Sequence, residues 1–221
     1  MDDLPFADCI EETVPYGSLH RVAPYVSSPV SSLVRAIELA EMTRPPSQLD
    51  DVLELGCGRG EFIRQVHAAG WLKRNITFRK AQRCRGIDIL EKELKIAREW
   101  AESVALEDER KCSNLLLEDN KLQVLLPPVL VEFINADIFH DDGWSRDSSL
   151  IFIYLVPRML TKLDEILARC CSKKGVRVIT FCYHFAEDSG MHNDYLYFSD
   201  NLLNLRLYCS RADTTPMLNI G

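Results

Sequence analysis

At 221 residues with 47% hydrophobic content, the chain is long enough to bury one α/β core and leaves little for a second domain. A formal charge of −7 argues against broad, salt-dependent adhesion to nucleic acid, which needs Lys and Arg gathered on one face, and suits a basic protein substrate better. The longest unbroken apolar stretch, Leu150 to Val156, is far too short for a membrane span, and eight scattered cysteines without a CxxC pair or a secretory leader favour reduced thiols in a cytoplasmic protein over a disulfide framework or zinc site.

Residues 1–23 hold acids, prolines and little periodicity, and read as a loose arm or irregular lid; residues 24–221 then form the domain. In PYVSSP, residues 24–29, Ser28 and Pro29 make an N-cap and first-turn pair, and Val30, Leu33, Val34, Ile37 and Ala40 follow as a helical stripe that ends before Pro45. Val52, Leu53 and Leu55 suit a strand covered on both faces. That strand runs into Gly56, Gly58 and Gly60, whose spacing permits tight turns and close backbone approach to a ligand. Phe62, Ile63, Val66 and Ala69 then recur with helical spacing, and Gly70 can close the helix.

A second strand ends at Asp88. It is followed by a long amphipathic helix marked by Leu90, Leu94, Ala97, Ala101 and Val104. Residues 107–130 mix charge with LLPPVL and exceed an ordinary helix-to-strand connection, so they read as an insertion. VEFINADIF and LIFIYLV are buried strands, followed by a helix carrying Met159, Leu163, Ile166, Leu167 and Cys170. VRVITFCYHF gives a fifth strand, and YLYFSDN with NLRLYCS the antiparallel pair that completes a seven-strand sheet. Strand and helix alternate throughout, which predicts an α/β, mostly parallel sheet with ligands at the carboxyl ends of its strands. Glu54, Asp88, Asp137 and Tyr154 all fall on that edge.

Glycine-rich strand-to-helix turns bind dinucleotides or S-adenosylmethionine. A dinucleotide loop spaces its glycines GxGxxG and places a ribose-binding acid about 20 residues further on. Here the spacing is GxGxG, the next strand-end acid is Asp88, and Glu61 stands where a helix N-terminus would otherwise welcome phosphate. Carboxylates suit the cationic sulfonium and ammonium of S-adenosylmethionine better. Taken singly, each acid also reads as a strand-end or helix-capping residue; it is their series that favours the methyl donor. Cys57 reads as a small residue in a tight loop, without a neighbouring base to activate it.

Through ELGCGRG, GIDIL, NADIF and LIFIYLVP, which span residues 51–157 in that order, the chain resembles the class I, seven-strand S-adenosylmethionine-dependent methyltransferases. The resemblance implies a doubly wound Rossmann-like sheet with an antiparallel last strand. It also implies roles: Glu54 near the methionine ammonium; Leu55, Gly56, Cys57, Gly58 and Gly60 around the methionine and sulfonium; Asp88 on the ribose hydroxyls with Ile89 beside it; Asp137 on the adenine amino group, with the Ile138 backbone beside the ring and Tyr154 at the active-site edge. PYVSSP, YLVP and the TFCYHF segment further resemble, over residues 24–184, the lysine methyltransferases that modify the ATP synthase c subunit and the adenine nucleotide translocase. The chain departs from that family at Glu54, where an aspartate is usual, at Arg59, where an acid is usual, and at Ser27, where a proline is usual. It also lacks the mitochondrial members' hydrophobic pre-sequence.

A soluble protein with an exposed lysine is therefore the expected acceptor. An RNA, a small molecule, and a non-catalytic role as a methyltransferase-fold partner subunit are the alternatives. Lysine must attack as the neutral amine although its ordinary pKa is about 10.4, so a desolvating channel is needed; an in-line displacement then requires alignment more than a dedicated base. Tyr25 and Tyr154 are candidates for shaping that channel, Pro157 for fixing the turn beneath it, and His184 for contacting substrate or accepting a proton. Tyr25 and Tyr154 also read as packing aromatics. His67, His140 and His192 read as surface or loop residues, and the absence of an HxxxH pattern or acidic pair predicts no metal. Arg74, Arg79, Lys80, Arg83 and Arg85 form the one basic cluster that would favour RNA, although a solvated loop reads as well.

Overall fold

The structure, a computed structural model, describes residues 26–45, 48–73, 79–118, 127–140 and 143–210, with backbone alone over 111–118. Seven strands, β1 (Asp50–Leu55), β2 (Ala81–Asp88), β3 (Leu130–Asn135), β4 (Leu150–Ile153), β5 (Arg177–Phe181), β6 (Leu196–Asp200) and β7 (Leu205–Cys209), form one sheet in the order β3-β2-β1-β4-β5-β7-β6. The strands β1 to β5 pair in parallel, and β7 enters antiparallel between β5 and β6. The chain leaves β1 toward β2 on one side and returns through β4 on the other. That reversal falls between β1 and β4, and the carboxyl ends at such a switch point are where open α/β sheets bind ligands.

Helices α1 (Val30–Met42), α2 (Glu61–Ala68) and α3 (Glu91–Glu118) cover one face, and α4 (Trp144–Asp147) with α5 (Pro157–Cys171) the other. Burial on both sides explains why β4 is apolar at every position, Leu150 to Ile153 all being buried. On the first face Phe62 of α2 stacks on Phe152 of β4 at 4.3 Å between ring centroids, alongside Leu33, Ile37, Val66 and Leu94. On the second, Leu163 and Leu167 of α5 pack with Trp144 and Ile151. A buried ion pair closes the amino edge. Arg177 at the start of β5 bonds Asp50 at the start of β1 and the carbonyl of Ala40 at the end of α1, while the Ser149 hydroxyl donates to Asp50 at 2.8 Å.

Three local expectations are corrected. The segment expected to be an insertion of unassigned structure is helical in its first part: residues 107–118 continue α3, which runs unbroken to Glu118, over a stretch opened by the good helix formers Glu107, Glu109 and Arg110. Residues 119–126 lie outside the described residues. Ser28 does not cap α1: the N-cap position is taken by Pro29, with no side-chain cap bond, and the Ser28 amide donates to Glu61. The buried face of α1 runs through Ser32, Leu33, Ala36, Ile37, Leu39 and Ala40, leaving Val30 and Val34 exposed.

Candidate cofactor site

The loop after β1 is shaped by backbone that only glycine adopts readily. Gly56 has φ +69° and a Cβ there would lie 2.5 Å from the Leu155 side chain; Gly60 has φ +73° and its Cβ would meet the Phe133 ring at 2.5 Å. The loop is thus wedged between the exit of β4 and a β3 aromatic. Leu55 and Cys57 are buried at its start. Burial, reinforced by Glu54 and Asp88, pushes the Cys57 thiol up, so it remains protonated and unreactive.

Glu54 lies beneath this loop, only 5% exposed, and accepts the backbone N–H groups of Phe62 and Ile63, each at 3.2 Å. These are donors that the first turn of α2 would otherwise leave unpaired. Burial raises the Glu54 carboxyl from an ordinary 4.5 to about 8; the two N–H donors oppose this, and the charges of Glu61 and Asp88 add to it. Asp88, at the end of β2, accepts Gly58 N–H through one oxygen and Leu90 N–H through the other, both at 2.8 Å. Each oxygen keeps a second lone pair for a ligand hydroxyl.

The exits of β2 and β3 are tied together. Ala136 N–H donates to the Asp88 carbonyl at 3.1 Å and the Asn135 side chain to the Ile89 carbonyl at 3.0 Å. Asp137 then forms a local turn, accepting Phe139 N–H at 2.9 Å, with His140 Nδ1 3.4 Å from its other oxygen. Ile138 is buried, and Ile89, 48% exposed, offers an apolar surface on the same edge.

On the other side of the loop, Tyr154 follows β4 and packs its half-buried ring edge-on against Phe181 at 4.9 Å, and burial raises its hydroxyl pKa. Pro157 occupies the first turn of α5 and is exposed. The fifth strand is shorter than expected, because Cys182 turns left-handed at φ 66° and ends it at Phe181. His184 therefore sits in the loop beyond, half-buried, with Nδ1 2.8 Å from the Thr180 hydroxyl. Burial, with the nearby Arg206 charge, lowers its pKa to about 4. Tyr25 lies outside the described residues.

Glu61 and Arg59 have partners that sequence spacing did not reveal. Glu61, the first residue of α2, accepts the Ser27 hydroxyl at 2.6 Å and the Ser28 amide at 2.7 Å. The only signal for it was an acid at a helix N-terminus, where the helix dipole favours one. Arg59 reaches from the loop to Glu93 on α3 at 2.6 Å. Most of the basic cluster is engaged near the amino ends of the strands. Arg79 donates to the carbonyls of Ala81 and Pro127, Lys80 pairs with Glu41, Arg83 with Asp51 at 3.1 Å and Asp147 at 3.5 Å, and Arg85 with the Ser148 hydroxyl at 3.1 Å; Arg74 lies outside the described residues. Among the described residues, no group of three or more His, Cys, Asp and Glu side chains converges as a metal site, and no helix is long and apolar enough to cross a membrane.

No family model and no curated protein matches the chain. Among solved structures it is similar to the rRNA methyltransferase AviRa from Streptomyces viridochromogenes, with 13% identity over 88% of this chain and 89% of that one and a TM-score of 0.54. It is also similar to the YcgJ protein of Bacillus subtilis, at 17% identity and a TM-score of 0.46 over 72% of this chain and 53% of that one, about half of its length. The strand order and the AviRa likeness together define a Rossmann-like methyltransferase fold.

Proposed function

We propose that the chain is an S-adenosylmethionine-dependent methyltransferase whose acceptor is a lysine side chain of a protein. The observation that carries the cofactor reading is electrostatic. A glycine loop at the switch point of the sheet is backed by Glu54 and Asp88, with Glu61 near enough that its charge bears on Glu54. A pyrophosphate would add negative charge beside these acids, whereas a ligand with an ammonium and a sulfonium favours their ionised forms. When bound, S-adenosylmethionine supplies an electrophilic methyl group. Glu54 and the glycine loop would hold the methionine end, Asp88 the ribose hydroxyls, and Asp137 with the Ile138 backbone the adenine.

Tyr154 and His184 would line the acceptor channel, with Pro157 fixing the start of α5 beside it. With its pKa near 4, His184 is neutral at ordinary pH and can hydrogen-bond an amine. It is too weak a base to take a proton from an ammonium whose ordinary pKa is about 10.4. We therefore assign it contact with the acceptor, and assign removal of the proton to desolvation and release to water. The lysine reading is supported by the two signature segments flanking one loop: Ser27 and Ser28 bond Glu61 on one side, and Leu155 abuts Gly56 on the other. An RNA acceptor is the second reading, favoured by the likeness to an rRNA methyltransferase; against it, the described members of the basic cluster are engaged away from the loop.

Radiolabelled S-adenosylmethionine incubated with the protein and a cell lysate, then split into protein, RNA and small-molecule fractions, tests the proposal. Label in protein, recovered as methyl-lysine after hydrolysis, is the expected result; label confined to RNA would overturn the lysine assignment.

A further inference from the structure

The first turn of α2 is wired in two directions. Beneath it, Glu54 takes the Phe62 and Ile63 amides. Above it, the Glu61 carboxylate takes the Ser27 hydroxyl at 2.6 Å and the Ser28 amide at 2.7 Å, bonds that cross more than thirty residues of sequence. Both are charge-assisted, and together they fix the Ser27–Ser28 backbone as well as a side chain. The clasped segment passes directly into α1, since the Pro29 carbonyl accepts the Ser32 and Leu33 amides. Glu61 follows Gly60 without an intervening residue, so the direction of its carboxylate depends on how the loop backbone is set.

We infer that Glu61 is a positioning residue that couples filling of the glycine loop to ordering of residues 26–29 at its rim. A ligand seated against Gly56–Gly60 removes conformational freedom from the loop, and hence from the first turn of α2. The Glu61 carboxylate is then held where both donors of the 27–28 segment can reach it. By linkage, the clasped segment strengthens ligand binding by the same factor. The clasp also gives Glu61 a function of its own, beyond discouraging phosphate. This inference rests on the cofactor reading above.

Hydrogen exchange of the full chain, with and without saturating S-adenosylhomocysteine, reads the coupling directly, because saturation removes any effect of altered affinity. In the wild type the ligand should slow exchange at the Ser28 amide, the backbone donor to Glu61, by about tenfold, the scale of a charge-assisted hydrogen bond. In Glu61→Ala that ligand-dependent slowing should fall below about twofold, with Glu61→Gln intermediate because one oxygen still accepts. A purely structural role would instead loosen α1 equally with and without ligand. Should Glu61→Ala fail to fold, Ser27→Ala at an exposed position removes one donor and should reduce the slowing by about threefold. Equal slowing in wild type and variants would overturn the coupling, as would binding to the wild type without slowing at the Ser28 amide. Failure of the wild type to bind S-adenosylhomocysteine at all would overturn the cofactor reading, and the coupling with it.

Discussion

Glu54 should make cofactor binding depend on pH in a defined direction. In the folded chain without ligand its carboxyl titrates near 8 instead of 4.5, so between those values the folded state holds a proton that the unfolded state lacks. Stability without ligand therefore falls as pH rises from about 4.5 to 8. At pH 7 this difference costs the folded chain roughly 3 kcal/mol relative to an ordinary carboxyl. A cationic ligand favours the ionised form, so binding below pH 8 expels the proton, and affinity should rise by up to about tenfold per pH unit until it levels above 8. Calorimetric titration with S-adenosylmethionine at a series of pH values, in buffers of different ionisation enthalpy, measures both the affinity and the proton released. The ligand's own amine also titrates in this range, at about 8, and Glu54→Gln isolates that share. Identical pH profiles for the wild type and Glu54→Gln would refute the coupling of Glu54 to the ligand charge.

Asp88→Ala removes the acceptor of Gly58 and Leu90 amides and the proposed ribose contact; calorimetry should show donor binding weakened by about tenfold or more. Gly60→Ala places a methyl against Phe133 at a left-handed residue, and thermal denaturation should report a loss of roughly 1–3 kcal/mol. Arg177→Met leaves Asp50 buried and unpaired. Urea unfolding should register a loss of about 3–5 kcal/mol, much of it recovered when Asp50→Leu is added.

The parts of the fold carried by local pattern were readable in the sequence. Apolar runs marked the central strands β1, β4 and β5, because a doubly covered parallel sheet forces them; VEFIN, expected as buried, is the edge strand β3 with only Phe133 buried. What escaped depended on partners distant in sequence. The Ser28 amide donates to Glu61, thirty-three residues on, a partner that no local capping rule contains. Asp50 and Arg177 each look like a polar strand start; only the closed sheet makes them a buried pair. The continuation of α3 through 107–118 was hidden by the charge-rich run that precedes Leu115. His184 was legible as a residue of the carboxyl edge, but its lowered pKa depends on burial and on Arg206, which spacing along the chain does not encode.

A methyl donor, and not a dinucleotide, is the ligand proposed for the glycine loop. Parallel calorimetric titrations of the same preparation with S-adenosylhomocysteine and with NAD test it most directly. Saturable binding of S-adenosylhomocysteine, lost or strongly weakened in Asp88→Ala, is the expected result, with no measurable binding of NAD. Absence of heat and of thermal stabilisation with millimolar S-adenosylhomocysteine, or tighter binding of NAD, would contradict it.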